Sequence, residues 1–458
     1  MQSSMNFSFY TEVNFWKAPK KKEGMNMEDI LYYMDTLYVL IAALLVLTMQ
    51  LGFGLLETGT LRAKNAGHVA VKQIISLSVA ALAFWAVGFG LSFGDGTTWF
   101  GTEGFFLSGS FTSLDWANVS IDIKFLFQLS FVAVSLAIAW GGFAERAKLS
   151  AYVLFGIFFV AILYPIVARS VWAGGMLGSM GMQDFAGSAV VHLQGGMAAL
   201  MATIILKPRR KTESLAGHNH VLTVVGGLVL WLCWFGFNAG STMSVADGFF
   251  GYVALTTMLA TAAGALGALA IVMLHRKTAD IPTIVNGVLG ALVAITAACA
   301  FVEPWAAVVI GALASVATYG TSILMAKYVD DPLCAFSVHG VAGIIGTLAL
   351  GFFASPRLVE ITGIGSAGLF YGGGLTQLGV QTLGVLIAMV IAGGGSYAFL
   401  KLLDVTIGLR VTEEQEDVGL DIAEHGVSAY GEVEETTEKP GRLPKILGSS
   451  VSVMSPKK

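Results

Sequence analysis

Apolar runs of about twenty residues recur along the chain, each closed by charged residues or turn formers. Eleven are long enough to cross a bilayer, at roughly 36–56, 73–93, 124–144, 149–169, 185–206, 221–241, 249–274, 281–301, 305–326, 333–354 and 377–402. At about 1.5 Å of rise per residue, twenty residues match a hydrocarbon core about 30 Å thick. The pattern predicts an all-α membrane protein of eleven transmembrane helices.

Lys and Arg in the short loops set the orientation. The odd loops are basic: Arg62, Lys64 and Lys72 in the first, Arg146 and Lys148 in the third, Lys207, Arg209, Arg210 and Lys211 in the fifth, Arg276 and Lys277 in the seventh. The even loops are poor in base, and the second is acidic, with Asp95, Glu103, Asp115 and Asp122. Odd loops are therefore expected in the cytoplasm, with the N-terminus outside and the C-terminus inside. The run Lys20, Lys21, Lys22 opposes this, but the loops are the more consistent signal. Loops 94–122 and 355–376, rich in Gly and aromatics, are long enough to fold over the outer face, and 170–184 is apolar enough to dip back toward the membrane.

One motif occurs twice. Asp184-Phe-Ala-Gly-Ser-Ala-Val-Val-His192-Leu-Gln-Gly-Gly196 and Asp331-Pro-Leu-Cys-Ala-Phe-Ser-Val-His339-Gly-Val-Ala-Gly343 each place His eight residues after Asp, behind a Val, with Gly four residues on. They open spans five and ten, which enter from opposite faces. This is the signature of an inverted repeat of five spans plus five, with the eleventh outside it. Eight helical residues rise about 12 Å, against about 15 Å for half a hydrocarbon core. Both imidazoles are thus expected near the midplane, where pseudo-symmetry brings them together. His68, His218, His220 and His425 fall in loops or the tail, and His275 at a span end.

Composition agrees with a lipid solvent. The 458 residues are 55% hydrophobic and 12% charged, and the 56 glycines allow close helix approach. A net charge of −4 argues against nucleic-acid binding. Cys233, Cys299 and Cys334 lack metal-ligand spacing and read as packing residues; no metal or cofactor is expected. No apolar stretch precedes the first span, so no cleavable signal peptide is expected. The chain divides into a polar N-terminal tail (1–34), a transmembrane domain (35–403) and a cytoplasmic tail (404–458). The last is acidic to residue 438 and then basic; its composition fits a solubilising tail and a docking arm for a soluble regulator equally well.

A paired imidazole in an apolar path suits a cation that sheds charge to cross. Neutral imidazole offers one donor and one acceptor, and its pKa moves readily across the physiological range. A bare ammonium ion would pay heavy desolvation in such a path, and ammonia would not. Potassium, which cannot lose its charge, is served poorly. Asp184 and Asp331 stand where helices start and read as structural N-terminal caps. Phe127, Phe131, Trp172, Trp234 and Phe237 are candidates for a vestibule where a cation gains about 0.5–2 kcal/mol over aromatic faces, with Ser241 as an acceptor. Ordinary membrane packing accounts for most of the 29 phenylalanines.

The stretch Gly52-Phe-Gly-Leu-Leu-Glu-Thr-Gly-Thr-Leu-Arg-Ala-Lys-Asn65 resembles the first-span signature of the ammonium transporter family (Amt/Mep/Rh), Amt branch. So do Gly142-Phe-Ala-Glu-Arg146, Asp184 through His192, Trp234-Phe-Gly-Phe-Asn-Ala-Gly-Ser241, Asp330-Asp-Pro332 through His339-Gly340, Gly408-Leu-Arg-Val-Thr-Glu-Glu-Gln415 and His425-Gly426, in order over about residues 35–430. The resemblance implies a homotrimer in the cell membrane (plasma or inner membrane) with one pore per subunit. It further implies ammonium recruitment by Phe131, Trp172 and Ser241, a gate of Phe131 and Phe237, a twin-histidine pair His192 and His339, and a PII-type signalling protein as cytoplasmic partner. Two departures stand out: Cys334 where relatives often carry an acid, and Ala297 where many have proline.

The expected function is channel-like uptake of ammonium. Two alternatives share the scaffold: an ammonium sensor signalling through its tail, and a neutral gas channel, which Trp172 and Ser241 disfavour. An enzyme is not expected, since no nucleophile and base converge in the pattern and no cofactor motif occurs.

Overall fold

The computed structural model describes residues 26–431. The Lys20–Lys22 run, most of the N-terminal tail and the basic end of the C-terminal tail lie outside the described residues. Among the described residues there is no β-strand, and eleven helices are long and apolar enough to cross a membrane. They are α1 (Met27–Thr60), α2 (Ala63–Phe93), α3 (Ile121–Gly141), α4 (Leu149–Ser179), α5 (Ser188–Leu206), α6 (His220–Thr242), α7 (Phe249–Arg276), α8 (Ile281–Ala298), α9 (Pro304–Met325), α10 (Phe336–Phe353) and α11 (Thr376–Thr406).

Several helices outrun their apolar stretches. α1 starts at Met27, capped by the Asn26 side chain accepting from the Asp29 N–H at 2.8 Å, so residues 27–34 are helix rather than tail. α2 starts ten residues before its apolar run, which puts His68 inside a helix and fully buried. Hydropathy marks where lipid sits, whereas a helix continues for as long as its backbone bonds and caps are satisfied. Segment 170–184 continues α4 to Trp172, reverses at Gly174 (φ +70°) and makes one more turn over Met176–Ser179.

α5 and α10 cross antiparallel at the centre of the bundle. The second half of α5 packs on the first turns of α10, and the second half of α10 on the first turns of α5. The repeat glycines make this possible. A Cβ on Gly196 would lie 2.4 Å from the Gly340 nitrogen, and one on Gly343 would lie 2.6 Å from the Ser188 carbonyl. Each glycine, four residues past its own histidine, receives the backbone of the other histidine's helix.

The basic loops gather at one end of the bundle around a buried carboxylate. Glu145 Oε1 accepts from the Arg62 backbone N–H (2.9 Å), Arg62 Nε (3.0 Å) and Asn65 Nδ2 (2.8 Å), and its Oε2 from Arg209 Nη1 (2.5 Å). Arg209 also forks onto Asp330 through Nε and Nη2, both at 2.8 Å. The tail docks on this platform and, through residue 431, is not a free arm. Its backbone pairs with the third loop, Val411 N–H to Arg146 O at 3.1 Å and Lys148 N–H to Leu409 O at 2.9 Å. Two short helices follow, α12 (Glu413–Val418), opened by a Thr412/Gln415 capping box, and α13 (Leu420–His425). Asp421 accepts from the Gly67 and His68 backbone N–H groups, Asn65 Oδ1 accepts from Leu420 N–H, and Arg210 pairs with Glu413 and Asp417.

Candidate functional site

Above the crossing of α5 and α10, at the end away from the basic loops, lies a cavity of about 370 Å³. Phe127, Phe131, Trp172 and Ser241 line it, with Asp184 at its edge. The Trp172 indole N–H donates to the Asp184 carbonyl at 2.7 Å, which fixes the ring. Ser241 donates its hydroxyl hydrogen to the Phe237 carbonyl at 2.8 Å, so the lone pairs of that oxygen remain for a donor in the cavity. Aromatic faces and an oxygen acceptor suit a small cation with N–H groups.

Two rings close the floor. Phe131 and Phe237 stack with centroids 4.1 Å apart and planes at 22°, both buried. Beneath them Phe237 lies 5.5 Å from the His192 ring, and His192 and His339 follow with centroids 5.3 Å apart, planes at 16° and Nδ1 to Nδ1 at 3.3 Å. One imidazole must donate and the other accept across that contact. Trp234 stacks on the far face of His192 at 5.1 Å, its indole N–H held by Thr296 Oγ1 at 2.8 Å. Below the pair, Phe53 and His339 line a smaller pocket of about 20 Å³, joined by Glu57, Asn286 and Leu289. The groups therefore form one line: vestibule, aromatic plug, imidazole pair, inner pocket.

Both histidines sit in π-helical turns, Ser188–Leu193 and Phe336–Val341, where a regular α-helix was expected. A π turn loosens the backbone ladder and is frequent at functional sites. In α5 side chains take up the loosened carbonyls: Ser135 Oγ donates to Val191 O at 2.8 Å and Gln194 Nε2 to Val190 O at 2.6 Å. Asp184 secures the same turn. Its two oxygens accept the backbone N–H groups of Gly187, Ser188, Ala189 and Val190 at 2.7–3.0 Å. Asp331 is the weaker counterpart, accepting from Phe336 N–H at 2.9 Å and leaving Oδ1 without a hydrogen bond.

The departure at Ala297 has a local explanation. Ser188 Oγ donates to Val293 O and accepts the Ala297 N–H, both at 2.6 Å, so a hydroxyl already stands in the α8 ladder where Ala297 would bond to Val293. A proline has no N–H to give, and its Cδ would fall on the Ser188 hydroxyl, which lies along the Ala297 N–H direction. Ala297→Pro is therefore expected to cost about 3 kcal/mol or more, as proline does in an intact helix. Thermal unfolding in detergent checks this, and a loss below about 1.5 kcal/mol would show that the Ser188 side chain moves aside for the ring. Cys334 holds a left-handed φ of +53° in the turn before α10.

Of the five vestibule candidates, Phe127, Phe131 and Trp172 line the cavity, Phe237 lies under it as the second ring of the plug, and Trp234 lies a layer deeper, against His192. The sequence reading missed Glu57 and Lys72. It left each one residue outside a span, in the first loop region, whereas they form a buried ion pair between α1 and α2, 2% and 0% exposed. The available signal was two opposite charges at the facing ends of one helical hairpin.

A closed apolar track with a polar mouth, threaded through a helical bundle of membrane length, places the molecule among polytopic membrane transport proteins. Within that class the chain belongs to the Ammonium Transporter Family, whose profile matches residues 37–430. It is 40% identical over 418 residues to "Ammonium transporter Amt2" of Archaeoglobus fulgidus, covering 87% of this chain and 88% of that one. It is 33% identical over 405 residues to the "Ammonium transporter" of Bacillus subtilis, covering 86% and 98%. Among solved structures it resembles a "Sensor Amt Protein" (TM-score 0.79, 34% identity, 87% of this chain and 100% of that one). Mep2 of Candida albicans is similar too (TM-score 0.79, 27% identity, 89% and 92%).

Proposed function

We propose that this chain transports ammonium along the line just described. Ammonium enters the vestibule, held by the Phe131 and Trp172 rings and the Ser241 oxygen. It passes the Phe131–Phe237 plug and gives up a proton at the imidazole pair, where a bare cation would be costly. The observation that carries this reading is the His192–His339 contact at 3.3 Å, in line between two cavities. The bundle end bearing the basic loops and the tail faces the cytoplasm, by the excess of Lys and Arg there. The cell membrane is its site, and three copies assemble with one pore each. The docked tail, beside the inner mouth, is where a PII-type signalling protein engages.

In proteoliposomes an ammonium step is expected to evoke a current, with potassium giving none. A preparation showing neither current nor ammonia flux would sink the reading. A sensor on the same scaffold is the second reading, favoured by the likeness to the "Sensor Amt Protein" over the whole of that chain. Growth on low ammonium of a cell lacking its own uptake separates the two, because a pure sensor does not restore it.

A further inference from the structure

The inner pocket holds a charged group that the transport reading has not used. Glu57 lies one helical turn past Phe53 on α1, and the two share a face. Phe53 stands 6.3 Å from the His339 ring, and both Glu57 and His339 line the pocket of about 20 Å³. That volume takes about one water. Glu57 Oε2 pairs with Lys72 Nζ on α2, with the Lys72 ammonium 6.0 Å over the Tyr152 ring. Apart from that ion pair, neither atom has a hydrogen-bond partner, and the Tyr152 hydroxyl on the ring beneath Lys72 has none either. A purely structural ion pair in a membrane bundle is expected to have its remaining donors and acceptors satisfied. This one instead brings its carboxylate to the wall of the inner pocket, where an intramembrane charge most often serves the transported species.

We propose that Glu57, held in place by Lys72, is the inner proton acceptor of the pore, the site where ammonia regains its proton. The inference rests on the splitting of ammonium at the imidazole pair. The proton left on the pair passes from the His339 imidazolium through one water to the Glu57 carboxylate, forming the acid and restoring neutral imidazole. Ammonia arriving in the same pocket takes that proton and leaves as ammonium, and Glu57 returns to the carboxylate paired with Lys72. One nitrogen and one positive charge cross, and nothing is consumed. Asn286, on the same pocket wall, supplies an amide for the ammonia or the water.

The test separates this from a scaffold role. Glu57→Gln alone strands Lys72 and is expected to destabilise the protein. The double variant Glu57→Gln with Lys72→Met removes both charges and is expected to restore the melting temperature. In proteoliposomes, current and ammonia flux are measured together, giving charge moved per nitrogen. The double variant should lose at least tenfold in ammonium current and at least fivefold in charge per nitrogen, while Glu57→Asp retains most of both. A folded double variant with wild-type current overturns the proposal. So does one in which current and ammonia flux fall together at an unchanged ratio. If the wild type itself moves ammonia without charge, the splitting of ammonium fails first, and this proposal with it.

Discussion

His192→Ala is expected to lower the ammonium current at least tenfold, or to admit potassium, in protein that folds normally. The imidazole is fully buried between Trp234 and His339, and its removal leaves an apolar gap facing a lone His339. His339 is then the one imidazole left between the aromatic plug and the inner pocket, with no partner ring to share or relay a proton. A charged species would then either face the full desolvation barrier or cross with water filling the gap. Asp184→Asn is the instructive contrast. Both carboxylate oxygens are occupied by backbone N–H donors, so an amide nitrogen would confront two of those donors with a third. Its expected effect is on stability, about 1–3 kcal/mol for the unpaired buried groups. Current per folded molecule, measured for both variants with ammonium, methylammonium and potassium, decides the matter. Equal losses in the two would mean that the histidine pair is scaffold.

The parts legible in the sequence were those written as repetition. Eleven apolar runs gave eleven helices, and the doubled Asp-to-His spacing led to two rings in contact, because an inverted repeat copies distance along a helix into position in depth. The π turns carrying His192 and His339 were not legible, since α and π turns differ in backbone bonding and not in residue type. The Glu57–Lys72 pair was not legible because each charge stands at the edge of an apolar run, where a pair that neutralises itself inside the bundle reads the same as two loop residues. The tail was ambiguous for a related reason. Its acidic composition fits a solvated arm, but Glu416 and Asp421 are buried against Arg210, Arg410 and the start of α2, and such complementarity has no period along the chain. Even the two matching aspartates are unequal in the fold, one capping four N–H groups and the other bonded to Phe336.

Glu145→Gln is expected to be the most damaging single change outside the pore, costing about 3–5 kcal/mol through the guanidinium groups it leaves uncompensated. Arg62 and Arg209, 5% and 7% exposed, both bond to this fully buried carboxylate, and Arg209 carries Asp330 with it. The variant should unfold at lower temperature in detergent and expose residues 404–431 to protease, because the tail rests on the loops that this carboxylate ties together. Acid should mimic it. Burial alone would raise both carboxyls, but Arg209 and Arg62 hold Glu145 below its ordinary 4.5, and Arg209 holds Asp330 down at about 2 from an ordinary 3.8. Groups whose pKa is depressed in the folded state stabilise it above the unfolded pKa and lose that contribution as pH falls toward the folded one. Protection of the tail is therefore expected to be complete above about pH 5 and to fade between about pH 4 and pH 2. In Glu145→Gln that acid transition should shrink, with the tail already loosened at neutral pH. A variant whose tail stays protected at pH 7 and is released along the wild-type acid curve would show that the tail is held by other contacts.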